Sequence, residues 1–165
     1  LLGARPGQGK TLLGLSLAAA AGRVARKGFF FTLDYTVRDV TDRLAHLGAD
    51  ATALHLDTSD GICADYVMTQ VSQTHAAVAV IDYMQLLDQK RSHPSLQSQV
   101  ATLRTFAKQS GAIFVLISQI DRRFDLRDDT VPGLADVRLP NPLDLALFDQ
   151  ACFLHDGQLA FRTPS

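Results

Sequence analysis

The sequence predicts an α/β fold with a mostly parallel central sheet flanked by helices. Short apolar runs alternate with segments of helical spacing, a phosphate-loop pattern follows the first run, and a strand pair with a tight turn lies near the end. Strands that are buried on both faces and connected through helices form parallel sheets with right-handed crossovers. Ligands bind at the carboxyl ends of such strands, so the residues that follow each strand are the first candidates for function.

The individual elements follow from the spacing of apolar residues and from the residues that bound each run. Thr36 is predicted to be the N-cap of the second helix, and Gly48 to end it. The predicted strands are residues 1–2, 28–33, 52–56, 76–81 and 112–117, and the predicted helices are residues 11–25, 36–47, 62–73 and 95–109.

The pattern changes in the last third of the chain. Residues 119–142 are charged and contain prolines, and a long irregular segment in a compact domain is usually functional or mobile. Residues 151–155 and 159–162 predict a C-terminal β-hairpin that turns at Asp156-Gly157.

Composition favours one globular domain over residues 1–165. The chain is 47% hydrophobic and has a mean hydropathy of +0.07, which suits a chain with a real core. No apolar run reaches the roughly 18 residues of a membrane span, so we expect a soluble protein. Cys63 and Cys152 lack metal-like spacing, and a reducing cytoplasm fits them as small buried hydrophobes. Because the chain opens with Leu1 at the end of a strand, we expect a fragment that lacks an N-terminal part.

The net charge of −1 argues against wholesale electrostatic attraction to nucleic acid and leaves local basic loops as candidates.

Residues 4–11 read Ala-Arg-Pro-Gly-Gln-Gly-Lys-Thr, close to the phosphate-loop pattern of Gly, four residues and Gly-Lys-Ser/Thr, with Ala4 in the first glycine position. Backbone N–H groups near the glycines would surround a β-phosphate, Lys10 would reach the β and γ oxygens, and Thr11 would hold Mg²⁺. The alternative is a glycine-rich turn that caps an ordinary helix. The predicted nucleotide-binding residues are Arg5, Pro6, Gly7, Gln8, Gly9, Lys10, Thr11 and Leu12.

Three polar residues follow predicted strands. Asp82 ends an all-apolar run and is predicted to hold Mg²⁺ with Thr11, the alternative being a helix cap or an ion pair. Asp34 is a candidate to polarise the water that attacks the γ-phosphate, and capping the next helix is its alternative. Gln119 has both a donor and an acceptor and is predicted to sense the γ-phosphate. Lys10, Asp34 and Gln119 are therefore the predicted catalytic residues.

Two basic clusters lie beyond strands next to this site, and they are candidate contacts to a nucleic-acid backbone. Aspartates are interleaved with the second cluster, so an ordinary solvated loop is the alternative. The candidates for DNA contact are Lys90, Arg91, Arg122, Arg123 and Arg127.

These motifs together resemble the C-terminal motor domain of DnaB-type replicative helicases, a RecA-like P-loop ATPase. The segment from Gly3 to Thr11 is similar to the family's phosphate loop, where Ala at the first position is common. Phe31-Thr-Leu-Asp-Tyr-Thr36 is similar to its catalytic-carboxylate segment, Val80-Ile-Asp-Tyr-Met-Gln-Leu-Leu87 to its metal-binding strand, and Leu116-Ile-Ser-Gln-Ile-Asp-Arg122 to its γ-phosphate-sensing segment. The resemblance implies Mg²⁺ and ATP as cofactors, ATP-dependent DNA unwinding, and a ring of six around single-stranded DNA.

Two departures from the family qualify these expectations. Asp34 stands where the family has Glu, and the shorter side chain predicts hydrolysis slowed on the order of 10²-fold. In the family, a hairpin after the strand that matches residues 151–155 carries a Lys or Arg that completes the active site of a neighbouring subunit. Arg162 is the one cation in that segment of this chain. The alternative function is a nucleotide-dependent switch or scaffold that does not unwind DNA.

Overall fold

The computed structural model describes residues 1–74, 76–126 and 131–165, whose strands form one sheet of seven in the order β3-β2-β4-β5-β1-β6-β7. The first six strands along the chain pair in parallel, and β7 pairs antiparallel with β6. This confirms the predicted mostly parallel sheet with a C-terminal hairpin. The strands are β1 (Leu2–Ala4), β2 (Lys27–Thr32), β3 (Leu54–Asp57), β4 (Ala77–Asp82), β5 (Ile113–Gln119), β6 (Ala151–His155) and β7 (Gln158–Arg162).

Helices cover both faces of this sheet. They are α1 (Lys10–Ala20), α2 (Val37–His46), α3 (Ala64–Val71) and α4 (Leu96–Ser110), with short 3-10 turns between elements. None of the described helices is long and apolar enough to cross a membrane.

Alternate residues of the central strands supply the two halves of the core. Phe30 and Val80 pack with Leu15 and Leu44 on the face covered by α1 and α2. The neighbouring strand residues, such as Ile81, pack on the other face with side chains of α3 and α4. Every residue of β4 is buried, as expected for a central parallel strand, so its final residue emerges from an apolar environment.

Register brings four strand ends to one edge of the sheet. Thr32 at the end of β2 pairs with Asp82 at the end of β4, and Ala4 at the end of β1 pairs with Gln119 at the end of β5. The phosphate loop follows β1 directly. The site candidates from four separate segments therefore lie along the same edge.

Several predicted boundaries need correction. The first helix ends at Ala20 and gives way to a 3-10 turn, Ala21–Val24, rather than continuing to residue 25. The strand predicted at residues 52–56 begins at Leu54, because the Asp50 side chain accepts a hydrogen bond from the Thr52 amide and holds a 3-10 turn before it. The helix predicted from residue 62 is shorter and begins at Ala64.

Other local predictions are confirmed. Thr36 caps α2, and the cap is reciprocal, since Asp39 accepts from the Thr36 amide at 2.9 Å. Gly48 ends that segment with φ of +67°, and the β6–β7 hairpin turns at Asp156 and Gly157, both with positive φ. The prediction that Cys63 and Cys152 are buried is wrong in degree, because both are free thiols that are only half-buried.

Candidate functional site

The phosphate loop connects β1 to α1 in a conformation that depends on glycine. Gly7 and Gly9 have φ of +79° and +87°, in the left-handed region that other residues disfavour. Gly9 is also the N-cap of α1, and no described side chain caps this helix end. The first N–H groups of α1 therefore point into the loop without a side-chain acceptor, and an anion suits this position.

Lys10 is the first residue of α1 and is half-buried, within electrostatic reach of two carboxylates. Burial lowers the pKa of Lys10, whereas the charges of Asp82 and Asp34 raise it, and the charge of Arg5 lowers it further. An ammonium group in such a setting is stabilised by additional negative charge, which phosphate oxygens supply.

Thr11 and Asp82 are in direct contact, as the predicted Mg²⁺ site requires. The Thr11 hydroxyl donates a hydrogen bond of 2.8 Å to Asp82 Oδ2. Burial raises the pKa of Asp82, while the Thr11 hydrogen bond and the Lys10 charge lower it. Hydroxyl and carboxylate oxygens are the hard donors that Mg²⁺ prefers, so this pair fits the ion. In the described part of the chain, no group of three or more His, Cys, Asp or Glu side chains could hold a metal ion.

Asp34 lies two residues beyond β2, exposed, with its amide bonded to the Thr32 hydroxyl at 3.2 Å. It is near enough for its charge to raise the pKa of both Lys10 and Asp82. The alternative of a helix cap is wrong, because Thr36 and Asp39 make the cap of α2.

Gln119 ends β5 next to the start of the phosphate loop. It pairs with Ala4, and the following amide, that of Ile120, donates to the Ala4 carbonyl at 3.1 Å. The Gln119 side chain is half-buried, and the Gln119 backbone carbonyl accepts a hydrogen bond from the Arg138 amide at 2.8 Å. Gln119 therefore joins the phosphate loop to the irregular segment that follows.

Arg43 is a cation that sequence reasoning missed. Its guanidinium lies 4.3 Å from the centre of the Tyr35 ring, and its Nη1 donates to the Asp39 carbonyl at 3.1 Å. The charge of Arg43 also lowers the pKa of Asp82, although burial of that carboxyl has the larger, opposite effect. In the sequence it looks like any other arginine of an amphipathic helix, and no local pattern distinguishes it.

The side chains of two loop residues that are predicted to bind nucleotide also contact other segments. Arg5 pairs with Asp125 at 2.6 Å. The Gln8 side chain donates a hydrogen bond to Asp156 Oδ1 at 3.2 Å and accepts one from the Asp156 backbone amide at 2.7 Å. Of the neighbouring predicted residues, Pro6 and Leu12 are exposed. The phosphate loop is thus held between the turn after β5 and the β6–β7 turn.

The candidate DNA contacts lie on the surface. Arg91 and Arg122 are exposed, Lys90 lies 3.9 Å from Asp60, and Arg123 donates to Asp121 at 3.1 Å. Arg127 lies outside the described residues. The interleaved aspartates thus offset part of the positive charge, as the solvated-loop alternative predicts.

An apolar groove of about 460 Å³ lies elsewhere, at the amino ends of β1 and β5. Leu17, Leu103 and Phe161 are among its lining residues, and the lining includes none of the predicted site residues. The candidate site is therefore defined by charge and backbone geometry rather than by this groove.

Comparison with known proteins gives one family. The family model "DnaB-like helicase C terminal domain" matches residues 49–144, more than half of the chain. The matched range contains Asp82 and Gln119 and begins after the phosphate loop.

Curated relatives extend the similarity over most of the chain. The chain is 27% identical to the replicative DNA helicase DnaB of Mycoplasma genitalium and 26% identical to that of Mycoplasma pneumoniae. Each alignment covers 94% of this chain and 42% of the relative. The chain thus spans about two fifths of the length of the curated relatives that it matches.

Solved structures show the fold. One solved ATPase domain has a TM-score of 0.72 at 20% identity, covering 93% of this chain and 68% of that one. A DnaB-like replicative helicase studied with primase has a TM-score of 0.70 at 19% identity, and the match covers 92% of this chain and 45% of that one. A KaiC-like protein from Pyrococcus horikoshii has a TM-score of 0.56 at 19% identity, and the match covers 72% of this chain and 61% of that one. The fold is that of RecA-like ATPase domains.

Proposed function

The chain belongs to the DnaB-like helicase C-terminal domain family, and from this premise we propose that it binds and hydrolyses Mg-ATP as the motor domain of a replicative DNA helicase. One observation carries the proposal. At the carboxyl ends of the strands, the N-terminus of α1, which has no side-chain cap, lies with Lys10 and with Thr11 and Asp82, which contact each other. Backbone donors, a cation and two hard oxygen ligands are what a magnesium nucleotide requires.

Each residue has a separate task in this mechanism. The α1 amides and Lys10 would bind the phosphates, and Thr11 with Asp82 would hold Mg²⁺, which would supply positive charge to the phosphate group. Asp34 orients the attacking water and accepts its proton. Gln119 contacts the γ-phosphate from the end of β5 and relays its presence to the segment after it.

The activity of the whole protein follows from its relatives and is proposed on that basis. Single-stranded DNA would contact the exposed cations Arg91, Arg122 and Arg123, with Lys90 beside them, in a ring of six chains that couples hydrolysis to unwinding. The exposed position of these cations supports the contact, since phosphate contacts need accessible charge.

Steady-state ATP hydrolysis with and without single-stranded DNA tests the proposal. Lys10→Ala is the negative variant, and Lys108→Ala, an exposed lysine in the last turn of α4, is the matched control. We expect turnover that DNA stimulates in the wild type and in Lys108→Ala and that Lys10→Ala abolishes. Tight ATP binding without turnover would contradict the motor and leave a nucleotide-dependent switch.

A further inference from the structure

The phosphate loop is tied to the turn that carries two candidate DNA-contact residues. Arg5 Nε donates to Asp125 Oδ1 at 3.0 Å, and Arg5 Nη2 donates to Asp125 Oδ2 at 2.6 Å. A third donor, Nη1, reaches the Ile120 carbonyl at 3.1 Å. This is the two-pronged geometry in which arginine binds carboxylates best.

Asp125 belongs to a short, well-bonded 3-10 turn, Arg122–Leu126, that also presents Arg122 and Arg123 to solvent. The Arg123 amide donates to Asp121 Oδ1 at 2.9 Å, and the Phe124 amide donates to the Asp121 carbonyl at 3.1 Å. Buried Phe124 packs edge-on against the His155 ring, with centroids 5.1 Å apart. The turn is thus anchored on one side by Phe124 and joined to the phosphate loop on the other by Asp125.

Arg5 also lies within electrostatic reach of the phosphate site, because its charge adds to the effect of burial in lowering the pKa of Lys10. Phosphates bound at Lys10 would attract the same guanidinium. The Arg5 and Asp125 side chains are 23% and 48% exposed, so water reaches and screens the pair, which lies outside the buried core. Arg5 can therefore exchange one anionic partner for another without loss of the fold.

We propose that Arg5 and Asp125 form a nucleotide-sensitive latch, in which phosphate binding draws Arg5 from Asp125 and releases the turn that bears Arg122 and Arg123. This latch rests on the proposed function, since it deepens the regulation of the same site. Arg5 and Asp125 act as positioning residues that link nucleotide occupancy to DNA affinity. The link is reciprocal: DNA bound at the turn changes nucleotide affinity by the same factor.

Asp125→Asn tests the latch, because it removes the carboxylate that competes for Arg5 and keeps the shape of the side chain. Asp149→Asn is the matched control, since Asp149 forms another exposed pair, with Arg104 at 3.5 Å, away from the site. Binding of a non-hydrolysable ATP analogue with Mg²⁺, and hydrogen exchange of the amides of residues 121–126, are measured in the same samples.

The latch predicts that nucleotide accelerates exchange at residues 121–126 in the wild type and in Asp149→Asn. In Asp125→Asn, exchange is already fast without nucleotide and does not respond, while nucleotide affinity rises. A merely structural role for Asp125 would leave that affinity unchanged or lower it. The nucleotide should also change affinity for single-stranded DNA about fivefold or more in the wild type, and less in Asp125→Asn.

Two outcomes separate the latch from the proposed function. If nucleotide binds but wild-type exchange at residues 121–126 does not change, or if Asp125→Asn responds like the wild type, the latch is wrong and the nucleotide site stands. If no nucleotide binds to the wild type, both proposals fail.

Discussion

Gly28 lies where strand β2 packs tightly against helix α1, and a methyl group there should destabilise the fold strongly. A Cβ at residue 28 would overlap the carbonyl oxygen of Ala18 and lie 2.8 Å from its carbonyl carbon and 3.3 Å from Leu54 Cβ. The obstacle is backbone that cannot rotate away, and Ala18 itself is fully buried. Gly28→Ala therefore has to move α1 away from the sheet.

The expected loss follows from two opposing effects. Overpacking a core costs about 1–3 kcal/mol, and a main-chain obstacle favours the upper end of that range. Replacing glycine by alanine inside a strand gains about 0.5–1 kcal/mol. The free energy of unfolding should fall by about 2 kcal/mol, which is a large share of the roughly 5–15 kcal/mol typical of a domain.

Urea unfolding followed by circular dichroism measures this change. With a denaturant slope of about 1–3 kcal/mol/M, the midpoint for Gly28→Ala should fall by about 1 M. Gly22→Ala is the matched control, because a Cβ at residue 22 meets nothing within 4 Å. It should leave the midpoint unchanged or raise it slightly. An unchanged midpoint for Gly28→Ala, with an unchanged slope, would refute the close approach of α1 and β2.

Three further changes test separate parts of the account. Asp34→Glu should raise ATP turnover if Asp34 is a shortened catalytic base, whereas lower turnover measured under the same conditions would contradict that role. Gln119→Ala should leave ATP affinity nearly intact and remove DNA stimulation of hydrolysis; a large loss of affinity would argue against sensing. Thr36→Ala should lower the free energy of unfolding by about 1 kcal/mol at neutral pH, because it removes the cap of α2. Hydrogen bonds from Thr36 lower the pKa of Asp39 below its usual 3.8, so this stabilisation is present above that value and is lost as the pH falls through the folded-state pKa. Thermal unfolding at several pH values should show that the difference in Tm between wild type and Thr36→Ala becomes smaller in acid. A difference in Tm that grows in acid would contradict the reciprocal cap.

Local chemistry explains which parts of the site could be predicted from the sequence. Lys10 and Thr11 follow from one short spacing, and Asp82 follows from its place at the end of an all-apolar strand. The Thr36 cap of α2 was predictable because a hydroxyl residue directly precedes a run of helical spacing, whereas the contribution of Asp39 to the cap was not predicted. In each case the signal lies within a few neighbouring residues.

Contacts between distant segments had no such signal. Arg5 and Asp125 are 120 residues apart and Gln8 and Asp156 are 148 apart, so their pairing depends on the order of strands in the sheet. The sequence therefore predicted Arg5 and Gln8 as loop residues but not the partners that hold the loop.

The central claim is that the loop before α1 binds a magnesium nucleotide through Lys10. Equilibrium binding of a fluorescent, non-hydrolysable ATP analogue with Mg²⁺ to the wild type, Lys10→Ala and Lys108→Ala tests it most directly. Loss of a charged hydrogen bond predicts affinity about 10- to 100-fold lower for Lys10→Ala alone, with little change in its thermal stability. Equal affinity of Lys10→Ala and the wild type, or no binding to the wild type, would contradict the account.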